Sequence, residues 1–241
     1  MSNLERGLVV ILSVHIADVG VRAVRSVLRA CPRPGATPGL RYAETTLTGA
    51  IAAGPPKVCP GRAALLASWD DDAALDRFLA DDPLAGLLSD GWQVRLQPLR
   101  FSGSWGPMPV EIGPGAARDQ EDGPVAVLTL GRLRLRRALS FLRANSRAAG
   151  RAAADPSMTA SVALARPPRF VGTFSLWQSA AAMQRYAYGA AQPEHKEVIR
   201  DHRTKPFHHE AGFLRCRPYA AQGRLDGREP VAEAAKVPRI C

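Results

Sequence analysis

Residues Ala63–Trp69 read AALLASW, and residues Val171–Trp177 read VGTFSLW. Each is a short, mostly apolar run that ends in Ser-Trp or Ser-Leu-Trp, as a buried strand would. After each tryptophan comes a polar residue suited to opening a helix, Asp70–Asp72 in the first case and Ser179 in the second. Recurrence of the same punctuation far apart in one chain is the mark of an internal repeat.

Outward from these runs the correspondence continues. Leu8–Val14 (LVVILSV) precedes a helical pattern at Val21–Ala30 with Val24, Val27 and Leu28 in phase, and Val125–Leu130 precedes one with Leu135, Leu139 and Leu142 in phase. Leu40–Leu47 alternates after a Pro-Gly break, and Met158–Leu164 holds the same place after Asp155-Pro156. The helices that follow the tryptophans carry Leu75, Phe78 and Leu79 in one copy and Met183, Tyr186 and Ala187 in the other. Gln93–Phe101 and Gly212–Tyr219 supply a fourth strand to each.

Both halves therefore read β-α-β-β-α-β, the ferredoxin-like order, in which one sheet face is covered by helices and the other is left apolar. Two such faces bury each other, so the expected fold is α+β, with tandem ferredoxin-like units forming a pseudo-dimeric α/β barrel. The expected boundaries are a first half at 1–102, a linker at 103–123 with its GPMPVEIGPG and RDQEDG stretches, a second half at 124–221, and a polar tail at 222–241 that frays.

With 241 residues, 46% hydrophobic and 22% charged, the chain has the balance of a globular protein and excludes a fibrous or wholly disordered one. The net charge of +10 comes from 28 arginines and four lysines against 22 acidic residues. Residues 1–120 are balanced, twelve against twelve, whereas residues 121–241 carry twenty basic side chains against ten acidic. An excess confined to one half suits an anionic partner there, although a solvated arginine-rich helix is the commoner cause. The stripe Arg136, Arg143 and Arg147 on the pattern from Arg134 to Ala149 is of that kind. Cys31, Cys59, Cys216 and Cys241 are too dispersed for a zinc site and read as reduced thiols. No apolar run reaches the length of a membrane span, so the expectation is a soluble, cytoplasmic protein.

Candidate chemistry falls on the histidines. In EHKEVIRDHR (Glu194–Arg203), His195, Val198, Ile199 and His202 recur at helical spacing, which puts two imidazoles on an apolar face. A neutral imidazole buried there needs a hydrogen-bond partner or a metal. The matching helix end of the first half, PLAGLLS (Pro83–Ser89), has no histidine, so metal or acid/base chemistry is expected in the second half. His208 and His209 lie in KPFHHE, read as a loop before the last strand, and His15 closes the first strand with a chance to line an interior. No phosphate-binding loop, dinucleotide fingerprint, HExxH or nucleophile elbow is present, which removes the corresponding enzyme classes.

With these pieces in order, the chain resembles the spheroidene monooxygenase family, haem-containing oxygenases of acyclic carotenoid biosynthesis. The resemblance is carried by LLASWDDDAALDRFL (Leu65–Leu79), GPVAVLTLGRLRLRRALSFLR (Gly123–Arg143), TFSLWQSAAAMQRYAY (Thr173–Tyr188), EHKEVIRDHR, FHHEAGFLRCRPY and GRLDGREP. The first half is less similar than the second, and LRYAETTLTG lacks the aromatic content expected of a carotenoid enzyme. As in other haem-binding dimeric α/β barrels such as chlorite dismutases, the resemblance implies a haem held against a sheet by a helix that supplies a histidine. It implies His195 as the iron ligand and Arg200 as a partner of the haem propionates. It also implies a ferredoxin-type electron donor and a hydrophobic substrate. The residues themselves leave the ligand open among His195, His202 and His209, and leave assembly into a homo-oligomer open. Two other readings stand beside it. One is a nucleic-acid-binding tandem module of the RNA-recognition type, from RFVGTFSLW (Arg169–Trp177); the other is a cofactor-free barrel oxygenase or ligand carrier.

Overall fold

The computed structural model describes residues 10–51, 57–106, 108, 112, 123–137, 155–188 and 208–236. The strands are β1 (Ile11–Asp18), β2 (Leu40–Ala50), β3 (Lys57–Trp69), β4 (Trp92–Ser104), β5 (Val125–Leu133), β6 (Met158–Arg166), β7 (Phe170–Trp177) and β8 (His208–Gln222). The helices are α1 (Gly20–Arg29), α2 (Asp72–Asp81), α3 (Pro83–Leu88), α4 (Ala180–Tyr188) and α5 (Pro230–Ala235). Side-chain caps fix where several of them start. Asp71 accepts from the Ala74 N–H at 2.8 Å, Asp82 from the Leu84 N–H at 2.8 Å, and Ser179 from the Ala182 N–H at 3.1 Å.

Every strand pairs antiparallel, and the sheet closes on itself in the order β1-β3-β2-β6-β7-β5-β8-β4. The molecule is thus a mixed α+β protein around a closed eight-stranded barrel. The tryptophan-ended strands sit at corresponding places in it. Trp69 lies opposite both Ile11 and Leu40, and Trp177 opposite both Val125 and Met158. One irregular step follows on the outer strand each time, between Leu40 and Tyr42 and between Met158 and Ala160. Two seams close the barrel. The β2–β6 seam is short and passes through Leu47 opposite Ala165; the β4–β8 seam runs from Gln93–Gln222 to Ser104–Ala211, with Gln97 opposite Arg217.

Alternation along the strands makes two cores. Leu12, Val14 and Ile16 of β1 point into the barrel with Leu128, Leu130, Phe174 and Leu214, where Trp92 and Phe174 pack with ring centroids 5.6 Å apart. Ile11 and Ala17 point the other way and join Leu65, Ala67 and Trp69 beneath Val27, Leu75, Phe78 and Leu84 of α1, α2 and α3. Burying side chains of this size contributes about 1.5–3 kcal/mol each, which is what fixes the strand registers.

Both barrel ends are stoppered by segments that the sequence presents as polar. Trp105 and Met108, in the stretch read as linker, are buried against the barrel interior. At the opposite end Leu225 and Ala234 enter the same core, with α5 lying against β6 and β7, so residues 224–236 are packed where fraying was expected. Arg62 helps hold that end, since its guanidinium donates to both Asp18 oxygens at 2.8–2.9 Å and to Asp226 at 2.7 Å.

Several local expectations are corrected by pairing. His208 and His209 open β8 instead of lying in a loop, because β8 bonds to β4 on one side and β5 on the other along its length. His15 is mid-strand and faces the helices, away from the barrel interior. Leu135 is 52% exposed in the 3-10 turn Leu135–Arg137, while Leu139 and Leu142, in phase with it in the sequence, lie outside the described residues. Phe170 and Phe174, the aromatics behind the RNA-recognition reading, are buried in the barrel core instead of standing on an open sheet face. Among the described residues no helix is long and apolar enough to cross a membrane.

Candidate functional site

The residues on which the haem expectation rests, His195, Arg200 and His202, lie outside the described residues, as do Arg143 and Arg147 of the basic stripe. What the described structure supplies is the surface beside them in sequence, the helix-facing side of the second-half sheet. There the two halves differ. On the first-half strands the outward positions Ser13, His15, Ala17, Ala63, Leu65 and Ala67 are all buried under the helices. The registers place Val127, Thr129, Gly131, Val171, Thr173 and Ser175 at the corresponding positions of β5 and β7, and all but Gly131 are only half-buried. Ser161 and Ala163 of β6 extend this half-buried surface. It is a floor of small and hydroxyl-bearing side chains, flat by virtue of what they lack.

Two features frame the floor. At one end α4 packs Ala180, Ala182 and Met183 down, Tyr186 stacks on Trp177 at 5.1 Å between centroids, and Trp177 donates from Nε1 to Ser175 Oγ at 3.0 Å. At the other, the His208 imidazole lies over Gly131, where a Cβ would fall 2.6 Å from Cδ2 and 2.8 Å from Nε2. His209, next along β8, is exposed and lines the barrel mouth instead; the register irregularity of the β5–β8 pair between Arg132 and Leu133 falls at this point and parts the adjacent imidazoles.

His15 is no ligand. Its Nε2 is 3.0 Å from Ser13 Oγ, which accepts from Trp69 Nε1 at 2.9 Å. Burial, assisted by the positive charge of Arg95, pushes its pKa down to about 4. It is a neutral, hydrogen-bonded core group. Of the thiols, Cys216 is inside the barrel, where burial pushes its pKa up, and Cys31 and Cys59 are free and half-buried. Among the described residues no group of His, Cys, Asp and Glu is placed to hold a metal.

Inside-facing positions form a second constellation that the sequence reading missed. At one barrel mouth the inward alternation of five strands ends in Glu44 (β2), Arg166 (β6), Phe170 (β7), Arg132 (β5) and Glu210 (β8), around a cavity of about 630 Å³. Arg166 donates to Glu44 Oε1 at 3.0 Å, to Thr45 Oγ1 at 3.2 Å and to the Leu28 carbonyl at 3.1 Å. Arg132 lies 5.3 Å over the Trp105 ring and 3.4 Å from Glu210 Oε2. Beneath them the Tyr42 hydroxyl donates to Glu44 Oε2 at 3.4 Å, and burial next to that carboxylate raises its pKa. The signal was available: Ala126-Leu128-Leu130-Arg132 and Ala160-Val162-Leu164-Arg166 each keep the phase of their apolar run and end it in a cation.

No family model matches the chain. Curated proteins do, over most of its length. It is 27% identical over 177 residues to the spheroidene monooxygenase of Cereibacter sphaeroides, covering 70% of this chain. It is 28% identical over 196 residues to that of Rubrivivax gelatinosus, covering 79%. The chain is thus similar, at a distance, to the spheroidene monooxygenases. It spans about half (53%) of the length of the Cereibacter spheroidene monooxygenase, 71% of that of Rhodobacter capsulatus, to which it is 25% identical, and 73% of the Rubrivivax one. Among solved structures, an aldoxime dehydratase in complex with butyraldoxime matches 89% of this chain and 81% of its own at a TM-score of 0.54 and 12% identity. A second aldoxime dehydratase matches 89% and 83% at a TM-score of 0.52 and 10% identity. At such identities these two establish a shared fold and no more.

Proposed function

We propose that this chain is a haem-dependent monooxygenase that hydroxylates a hydrophobic, carotenoid-like substrate. The single observation that carries the reading is the match to three spheroidene monooxygenases over 70–79% of the chain. The barrel is read with it as a pseudo-dimer of ferredoxin-like halves. In support, Gln97 pairs with Arg217 and Leu47 with Ala165, which are equivalent positions in the two halves, so both seams are self-complementary about one axis.

The described residues fit a haem on the second-half floor. A flat macrocycle needs a surface without projecting side chains, and Thr129, Thr173, Ser175, Ser161 and Ala163 provide one that the first half, with Leu65 and His15 sealed under helices, does not. His195 is the proposed iron ligand and Arg200 the proposed propionate partner, both from the family resemblance. When bound, haem supplies the activation of dioxygen. The chain's part is to hold the flat group on the floor, keep water off it and bring an apolar substrate to its free side. Hydroxylation of a C–H bond by dioxygen consumes two electrons and two protons and releases water, hence the proposed ferredoxin-type donor.

The test is an absorption spectrum of the full chain produced with haem precursor, recorded before and after reduction and carbon monoxide. A stoichiometric Soret band that is lost in His195→Ala, with the fold retained, supports the reading. Folded protein that neither retains nor rebinds haem overturns it.

A further inference from the structure

We propose that the barrel mouth is a second binding site, built for an organic monocarboxylate, on the opposite face of the sheet from the half-buried floor. Strand alternation separates the two: Gly131 faces the floor, while Arg132 turns inward to the mouth. The inference does not depend on haem. A cavity of about 630 Å³ lies within the range of small-molecule sites, roughly 300–1,000 Å³.

The charges decide the ligand's chemistry. Arg166 is committed, with its guanidinium distributed among Glu44, Thr45 and the Leu28 carbonyl. Arg132 faces Glu210, yet Glu210 Oε2 is buried without a hydrogen bond, so that pair sits at ion-pair distance with its directional capacity unspent. Arg169, in the β6–β7 turn, has no carboxylate partner among the described residues and lines the same cavity beside His209. Among the described residues three guanidiniums against two carboxylates leave one positive charge, and Arg169 is the group that carries it. One net charge suits a singly charged anion. A phosphate dianion would face Glu44 and Glu210 with only one uncommitted guanidinium to offset them. The remaining wall, Phe170 with Pro167 and Pro168, is apolar and suits a hydrocarbon or ring attached to the carboxylate.

The probe is decanoate, titrated calorimetrically into the purified full chain without added haem, with decanol as the neutral control. Arg169 is exposed, so Arg169→Gln leaves the fold intact, and Arg22→Gln on α1 removes an equal charge far away. The expected result is decanoate binding that weakens about ten-fold or more in Arg169→Gln, is partly restored in Arg169→Lys, and is unchanged in Arg22→Gln. Decanol should bind much more weakly than decanoate, and added salt should weaken decanoate alone. No decanoate binding to the folded chain, equal binding by wild type and Arg169→Gln, or equal binding of decanol and decanoate overturns the proposal. None of these outcomes touches the haem reading, whose readout is the Soret band.

Discussion

Gly131 and His208 are in mutual van der Waals contact across the β5–β8 pair, and the imidazole occupies the space a side chain at position 131 would need. Gly131→Leu therefore must displace His208 and raise an obstacle on the half-buried floor. The expected cost is about 1–3 kcal/mol, as for overpacking elsewhere. Chemical denaturation reads that cost. If the floor takes a flat group, haem loading falls in Gly131→Leu by more than stability does, and equal loading in both proteins would argue against the floor.

His15 predicts an acid-side loss of stability. Its folded pKa, about 4, lies below the ordinary 6.5. The unfolded chain therefore takes up a proton that the folded chain refuses. The contribution is neutral above pH 6.5 and becomes a penalty as pH falls toward 4, of order 3 kcal/mol by then. The difference between wild type and His15→Gln in urea midpoints isolates this from the carboxylates, which titrate in both. It should shrink between pH 7 and pH 4.5, and parallel midpoints across that range would contradict a buried neutral imidazole.

The particular residues that were readable in advance share one property: their signal is local. Trp69 and Trp177 each end an apolar run before a cap, so strand, boundary and repeat are legible within a dozen positions. The mouth residues Arg132, Arg166 and Glu210 are equally in phase with their strands, but an apolar window stops one residue short of each, and only closure of the barrel brings them together. Residues Pro230–Ala235 (PVAEAA) have too small an apolar stripe to announce a packed helix. Their burial comes from the open barrel end they meet, a non-local fact. His15 misleads in the other sense: a polar residue in an apolar strand suggests a site, while Ser13 and Trp69 complete a closed hydrogen-bond chain around it.

Thiol reactivity should divide along burial. Cys216 is enclosed in the barrel with its pKa raised, so its thiolate is scarce and shielded. Cys31 and Cys59 are half-buried. Brief alkylation of the native chain followed by peptide mass spectrometry should label Cys31 and Cys59 and leave Cys216 free until the protein is denatured. Early labelling of Cys216 would mean that the barrel opens under native conditions.

Removal of residues 223–241 tests whether the C-terminal segment is structural. The deletion withdraws Leu225 and Ala234 from the barrel core and takes Asp226 from Arg62, while leaving the paired length of β8 through Gln222 in place. An open barrel end exposes core side chains to water, so the deleted chain should bind a hydrophobic dye and unfold at lower temperature. Leu225→Ala, a milder change at the same place, should cost about 2–5 kcal/mol through the lost side chain and the cavity it leaves. Arg62→Ala should cost less, because its carboxylate partners are mostly solvated. A deletion that melts with the full chain would show that α5 covers the barrel without stabilising it, and would restore the view of this segment as a tail.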